Sequence, residues 1–202
     1  FIALAIDSAS ELNLNYFLNK LQGDGNKQGG WKVEFNNLKL QNSRFSLKNF
    51  DYKPKEYGMN FSDILAYNIN ADIKKFKPTK DSLSFYVKSL SLKEQSGLIL
   101  EKMITHFSQS KTFLAFRDVV IRTPDSDITG DEISLRFAGF SKFKSDSFVN
   151  SVRLRLNLSQ TSINLHDIGY FAPVFRDIHQ QIALSGLFTG PLNNIRGRDL
   201  AI

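Results

Sequence analysis

Residues 65–74 read LAYNINADIK, and the alternation within this stretch decides the fold. Apolar side chains occupy every second position from Leu65 to Ile73, and polar side chains fill the positions between them from Asn68 onward. Residues 152–158 repeat the pattern as VRLRLNL. A period of two places the apolar side chains of a strand on one face of a sheet. The sequence therefore predicts β-strands with one apolar and one polar face.

The same pattern recurs along most of the chain and predicts roughly a dozen short strands. We expect a strand-rich region over residues 31–165 and further strands over residues 181–202. Tight turns favour antiparallel pairing of neighbouring strands, and no βαβ pattern indicates a parallel nucleotide-binding sheet. Leu83, Phe85 and Val87 alternate regularly, but Leu90 and Leu92 then fall out of step with them, and this change predicts a β-bulge.

Two segments depart from the alternation. Over about residues 11–21 the apolar side chains fall at i, i+3, i+4 and i+7, the spacing of a short amphipathic helix. The stretch over about residues 166–178 contains Gly169 and Pro173 and predicts one or two helical turns. The chain is thus predicted to be all-β with one or two short helices.

Composition narrows the classes of function. The 202 residues are 42% hydrophobic, which is normal for a folded chain, and they include no cysteine for disulfides or thiolate metal sites. The net charge of +6 comes from lysines and arginines scattered along the chain. Because they form no cluster, we expect no nucleic-acid partner.

No catalytic centre is evident in the sequence. The three histidines, His106, His166 and His179, lack metal-binding spacing, and the glycines form no phosphate-binding loop. We therefore predict a protein that is not an enzyme, with no cofactor, no metal site and no catalytic residue.

The 18 phenylalanines carry more information. Seven of them occupy apolar strand positions: Phe35, Phe45, Phe85, Phe107, Phe116, Phe137 and Phe188. One interpretation is a β-sandwich, in which two sheets bury these faces against each other, and composition favours it. The other is a single curved sheet whose apolar face is an open groove for acyl chains.

Residues 163–173 (INLHDIGYFAP) lead into residues 182–202 (IALSGLFTGPLNNIRGRDLAI), and this passage resembles a recurring phrase of the AsmA-like family. In TamB-type members, a segment ending in proline precedes a strand and then Gly-x-Leu-x-Asn-Leu-x-Gly-x-x-Leu-x-Leu. Residues 14–21, 45–47 and 77–83 are similar to TamB-type proteins of the Bacteroidota. The shared features are residues that mark where strands and turns occur.

The resemblance implies an elongated, curved antiparallel β-groove, or β-taco, with an apolar interior. Residues 1–202 would be an internal segment of a longer protein that is anchored in the inner membrane and crosses the periplasm to an outer-membrane barrel of the TamA or BamA type. Its implied function is non-enzymatic transfer of phospholipids, whose acyl chains it would bind. The alternative is an outer-membrane protein assembly module that acts by β-augmentation.

The groove hypothesis assigns twenty side chains to the apolar interior. They are Trp31, Val33, Phe35, Leu65, Tyr67, Ile69, Ile73, Leu83, Phe85, Val87, Ile133, Leu135, Phe137, Val152, Leu154, Leu156, Leu158, Ile182, Leu184 and Phe188.

Overall fold

The fold is one open β-sheet, and the computed structural model describes it over residues 2–6, 34–49, 56–79, 82–139, 152–191 and 193–201. Within these ranges the ten strands are β1 (Ile2–Ile6), β2 (Phe35–Asn49), β3 (Asp63–Pro78), β4 (Ser82–Glu94), β5 (Ile99–Ser110), β6 (Phe113–Arg122), β7 (Asp127–Arg136), β8 (Arg153–Asn164), β9 (Gln181–Pro191) and β10 (Arg196–Ala201).

The strands follow one another across the sheet in chain order. β1 pairs with β2 in parallel, and every later neighbouring pair is antiparallel. The predicted all-β fold is confirmed, with ten described strands where about a dozen were expected. Since all ten belong to one sheet, the sandwich that composition favoured is not the architecture of the described residues.

The sheet curves into a groove. Phe45 on β2 and Ile163 on β8 line the same cavity. In a flat sheet, six strand spacings of ~4.8 Å would hold these two side chains ~29 Å apart. Strand twist and curvature must therefore bring the two sides of the sheet towards each other, which gives the predicted curved antiparallel groove.

In several strands the alternation of inward and outward side chains shifts by one residue partway along the strand; we call this a phase change. Because of it, apolar side chains point inward at both ends of the strand. On β4, Val87 pairs with Thr105, Leu90 with Met103 and Leu92 with Leu100, and the register shifts between each pair and the next. The predicted bulge at this position is confirmed. Because cross-strand partners share a face, the shift keeps Phe85 and Leu92 on the same face although seven positions separate them.

A pair of adjacent polar residues marks the phase change in five successive strands. These pairs are Lys88-Ser89 in β4, Glu101-Lys102 in β5, Arg117-Asp118 in β6, Asp131-Glu132 in β7 and Ser159-Gln160 in β8. Asp118 adopts a left-handed backbone with φ of 51°. Two consecutive outward residues follow from such a bulge, since it inserts one unpaired residue into the strand.

The core lies on the inward face. Buried apolar residues of this face and its ends are Ala66, Ile69, Ala71, Val87, Val119, Phe137, Val152 and Leu158. Ala115 is the exception, because it is fully buried on the opposite face, where it pairs with Ser108 and Ser134. On the outward face, Asp72 contacts Lys74 at 3.1 Å and Glu132 contacts Arg155 at 3.9 Å. The sheet therefore has the one-sided polarity that the alternation predicts.

Helical structure is confined to the β8–β9 connection among the described residues. Helix α1 (Leu165–Gly169) and a 3₁₀ turn (Pro173–Phe175) confirm the helical turns predicted near residues 166–178. The amphipathic helix predicted over residues 11–21 lies outside the described residues. None of the described helices is long and apolar enough to span a bilayer.

Candidate functional site

An aromatic ladder crosses five strands on the inward face. Its rungs are Phe35, Phe76, Phe85, Phe107 and Phe116, one from each strand from β2 to β6. Successive ring centroids lie 4.3, 6.0, 4.6 and 5.3 Å apart. Stacked and tilted rings at these distances attract one another and form a continuous apolar surface.

The row continues beyond the ladder without phenyl stacking. Phe116 pairs with Ile133, Ile133 with Leu156, and Leu156 with Phe188. Because directly paired residues share a face, these three side chains extend the row to β9. An unbroken apolar band therefore runs across eight neighbouring strands.

A cavity of about 560 Å³ lies towards the other ends of the same strands. Its described lining residues are Phe45, Met59, Ile64, Ala66, Leu92, Glu94, Leu98, Leu100, Ile121, Thr123, Ser126, Ile128, Ile163, Asp167, Ile168 and Phe171. The volume is in the range of small-ligand pockets. Every strand from β2 to β8 contributes to its wall directly or through an adjoining turn.

Residues 165–175, which we call the cap, cover one end of the cavity and are tied to the β6–β7 turn by a polar latch. The Asp167 carboxylate accepts hydrogen bonds from Thr123 Oγ1 and Ser126 Oγ, both at 2.5 Å. Ser126 Oγ in turn accepts from the backbone N–H of Asn164 at 2.9 Å. The side-chain Oδ1 of Asn164 caps α1 by accepting from the backbone N–H of His166 at 3.0 Å. Bonds to a charged acceptor are the stronger kind, so this latch holds the cap to the sheet.

A second contact joins the cap to the β2–β3 connection. The Met59 amide donates to the Tyr170 carbonyl at 2.8 Å. Gly58 has φ of 76°, and a Cβ there would come within 2.7 Å of the Tyr170 carbonyl oxygen. Glycine is thus needed at residue 58 both for its backbone angle and for the close approach. Burial, followed by the charges of Tyr57, Asp167 and Asp125, raises the pKa of Tyr170 above its ordinary value of 10.0.

Glu94 places a second carboxyl group in the cavity wall. Its side chain is 2% exposed, and its two oxygens accept from the Leu65 amide at 3.2 Å and the Ser96 amide at 2.7 Å. Both carboxyl groups of the wall are therefore satisfied by the protein itself. No lysine, arginine or histidine is among the described lining residues.

Most of the predicted groove residues lie on the inward face. Register and burial place there Phe35, Ile69, Ile73, Leu83, Phe85, Val87, Ile133, Leu135, Leu154, Leu156, Leu158, Ile182, Leu184 and Phe188. Phe137 and Val152 are buried just beyond the ends of β7 and β8. Trp31 and Val33 lie outside the described residues.

The inward assignment of Leu65 and Tyr67 is wrong. Ile64 and Ala66 line the cavity, and neighbouring residues of a strand point to opposite faces. The cause is a phase change at Asn68, which has φ of 53° and lies where the β3–β4 register shifts. Uninterrupted alternation cannot continue through such a residue.

The assignment also missed the wall of the capped cavity. Ile64, Leu100, Ile121, Ile128 and Ile163 are apolar strand residues on the far side of the phase changes. The polar doublets described above were the available sequence signal. The lining by Ile168 and Phe171 had no such signal, because it depends on how the cap folds back over the sheet.

Among the described residues, no group of three or more histidine, aspartate or glutamate side chains could hold a metal ion. His106 contacts Asp118 at 3.0 Å, but on the outward face of the sheet.

Comparison with known proteins gives no match to a family model, to a curated protein or to a solved structure.

Proposed function

We propose that this chain is a non-enzymatic lipid-binding segment that transfers phospholipids by holding their acyl chains in its groove. The observation that carries the proposal is the unbroken apolar band on one face of an open sheet, which leads to the capped apolar cavity. The resemblance to TamB-type proteins supports the same function.

The free energy of transfer explains why such a surface suffices. Moving a sixteen-carbon acyl chain from lipid into water costs about 13 kcal/mol, at ~0.8 kcal/mol for each methylene. A groove that contacts the chain along its length removes most of this cost without any covalent step. The polar outward face, with its ion pairs, keeps the opposite side of the sheet hydrated.

The setting that we propose follows from the resemblance. The segment would belong to a periplasmic protein anchored in the inner membrane, and its partner would be an outer-membrane barrel of the TamA or BamA type. The phospholipid would then pass between the two membranes along the groove.

Native mass spectrometry with lipid extraction tests the proposal on the purified chain. We expect co-purified phospholipid, and we expect Phe107→Arg to lose it because the charge interrupts the centre of the aromatic ladder. His106→Arg is the matched control, since the neighbouring residue points outward. Lipid-free protein, or equal loss from both folded variants, would count against the proposal.

An assembly module is the second candidate, and the edge strand β10 favours it. All six residues of Arg196–Ala201 are exposed, and β10 pairs only with β9 among the described strands. Such an edge can accept a further strand by β-augmentation. Replacing Leu200 with proline should abolish binding of an outer-membrane strand peptide if this candidate is right and leave lipid binding intact.

A further inference from the structure

The two ends of the groove differ in charge. The turns and strand ends beside the aromatic ladder carry five basic residues, Lys77, Lys111, Arg136, Arg153 and Arg196, against one described acidic residue, Glu34. The opposite end, around the cap, carries seven acidic residues against four basic ones. The acidic residues are Glu56, Asp63, Glu94, Asp125, Asp127, Asp167 and Asp177, and the basic ones are Lys48, Lys93, Arg122 and Arg176. Arg122 and Arg176 form ion pairs with Asp127 and Asp177, so the excess of negative charge comes from the other acidic residues. An anionic group is therefore attracted towards the ladder end and repelled from the cap end.

The capped cavity adds a chemical filter at the acidic end. Its two carboxyl groups already accept hydrogen bonds from the protein, and no cationic side chain is among its described lining residues. A phosphate or carboxylate placed there would lose its hydration without gaining a counter-charge. An aliphatic chain would gain apolar contacts on several sides.

We propose that the capped cavity is a terminal seat for the methyl end of one acyl chain, whose anionic head group lies at the basic ladder end. This inference rests on the proposed function and adds a defined polarity to it. The cap, tied through Asp167 and Tyr170, covers the seated methyl end of the chain.

Spin labels test this polarity directly. The chain has no native cysteine, so Val174→Cys in the cap and Thr112→Cys in the β5–β6 turn each give one labelling site. The two sites lie near opposite ends of the strands, and a strand of twelve residues is ~40 Å long. The probe is stearic acid carrying a nitroxide near its methyl end or near its carboxyl group, and the measurement is the distance between the two spins.

We expect the methyl-end nitroxide to lie closer to the Val174 site and the carboxyl-end nitroxide closer to the Thr112 site. Equal distances, or the reverse order, would overturn the polarity while leaving the proposed function intact. If neither probe binds and no lipid co-purifies, the proposed function itself fails along with the inference.

A cavity-filling variant provides a second measurement. Ala66→Phe places a ring in the cavity, whereas Leu65→Phe adds the same ring on the outward face. Each pair of methylenes that the ring displaces should weaken stearate binding about tenfold. Unchanged affinity of a folded Ala66→Phe protein would overturn the seat, and the spin-label distances decide the matter if that variant does not fold.

Discussion

Replacing Ile64 or Leu65 with asparagine tests which of these two side chains points into the groove. In the structure Ile64 points inward, whereas regular alternation back from Ile69 would point Leu65 inward. Ile64 is half-buried in the cavity wall, so loss of its apolar contacts should cost roughly 1–1.5 kcal/mol, about half the value for full burial. Placing an amide there without a partner adds about 1–3 kcal/mol. Leu65→Asn leaves its amide in contact with water on the outward face, and it should cost about 1 kcal/mol.

Urea unfolding followed by circular dichroism measures the difference between the two variants. We expect Ile64→Asn to be less stable than Leu65→Asn by ~2 kcal/mol, which corresponds to ~4–8 °C in Tm for a chain of this size. Equal slopes against urea are needed for the comparison, because a changed slope indicates a changed native or unfolded state. Greater loss from Leu65→Asn would refute the phase change at Asn68.

Three further predictions concern the ladder and the cap. Phe107→Ala should destabilise the sheet by about 2–4 kcal/mol by calorimetry, because Phe107 is stacked on Phe85 and tilted against Phe116; a cost under ~1 kcal/mol would contradict the ladder. In a double-mutant cycle, Thr123→Val and Asp167→Ala should couple by about 1 kcal/mol, and strict additivity would show that the Thr123–Asp167 hydrogen bond contributes nothing. Since the pKa of Tyr170 is raised, its contribution to stability is present below pH 10 and is lost as pH rises through the folded pKa, so Tyr170→Phe should flatten the alkaline stability profile; an unchanged profile would contradict this.

The strands and their outward polarity could be predicted because a period of two is a local property of the sequence. The bulge near Leu90 and the turns over residues 165–175 were also local signals, and both are confirmed. The alternation alone did not distinguish an open groove from a β-sandwich, since both architectures need strands with one apolar face.

The phase of β3 could not be predicted from alternation alone. Leu65 and Tyr67 are as apolar as Ile64 and Ala66, so the sequence offers two equally good faces. The left-handed backbone at Asn68 decides between them, and asparagine tolerates that conformation better than most residues. Together with the adjacent polar pairs of β4 to β8, Asn68 could have indicated where the alternation in β3 shifts.

The cap cavity depends on contacts between residues far apart in the chain. Thr123 and Asp167 meet only because the β6–β7 turn and α1 lie at the same end of the curved sheet. Ladder stacking likewise needs the register of four strand pairs, which turn lengths alone did not reveal. Such features follow from topology and curvature, which are not written in any one segment.

We propose that the inward face holds acyl chains in the living cell. The most direct test introduces a photocrosslinking amino acid at one of six positions. Three are inward, Phe85, Phe107 and Phe116, and three are outward controls, Tyr86, His106 and Arg117. We predict phospholipid adducts, detected by mass spectrometry, at the three inward positions alone. Adducts at neither set, or equally at both, would contradict the account.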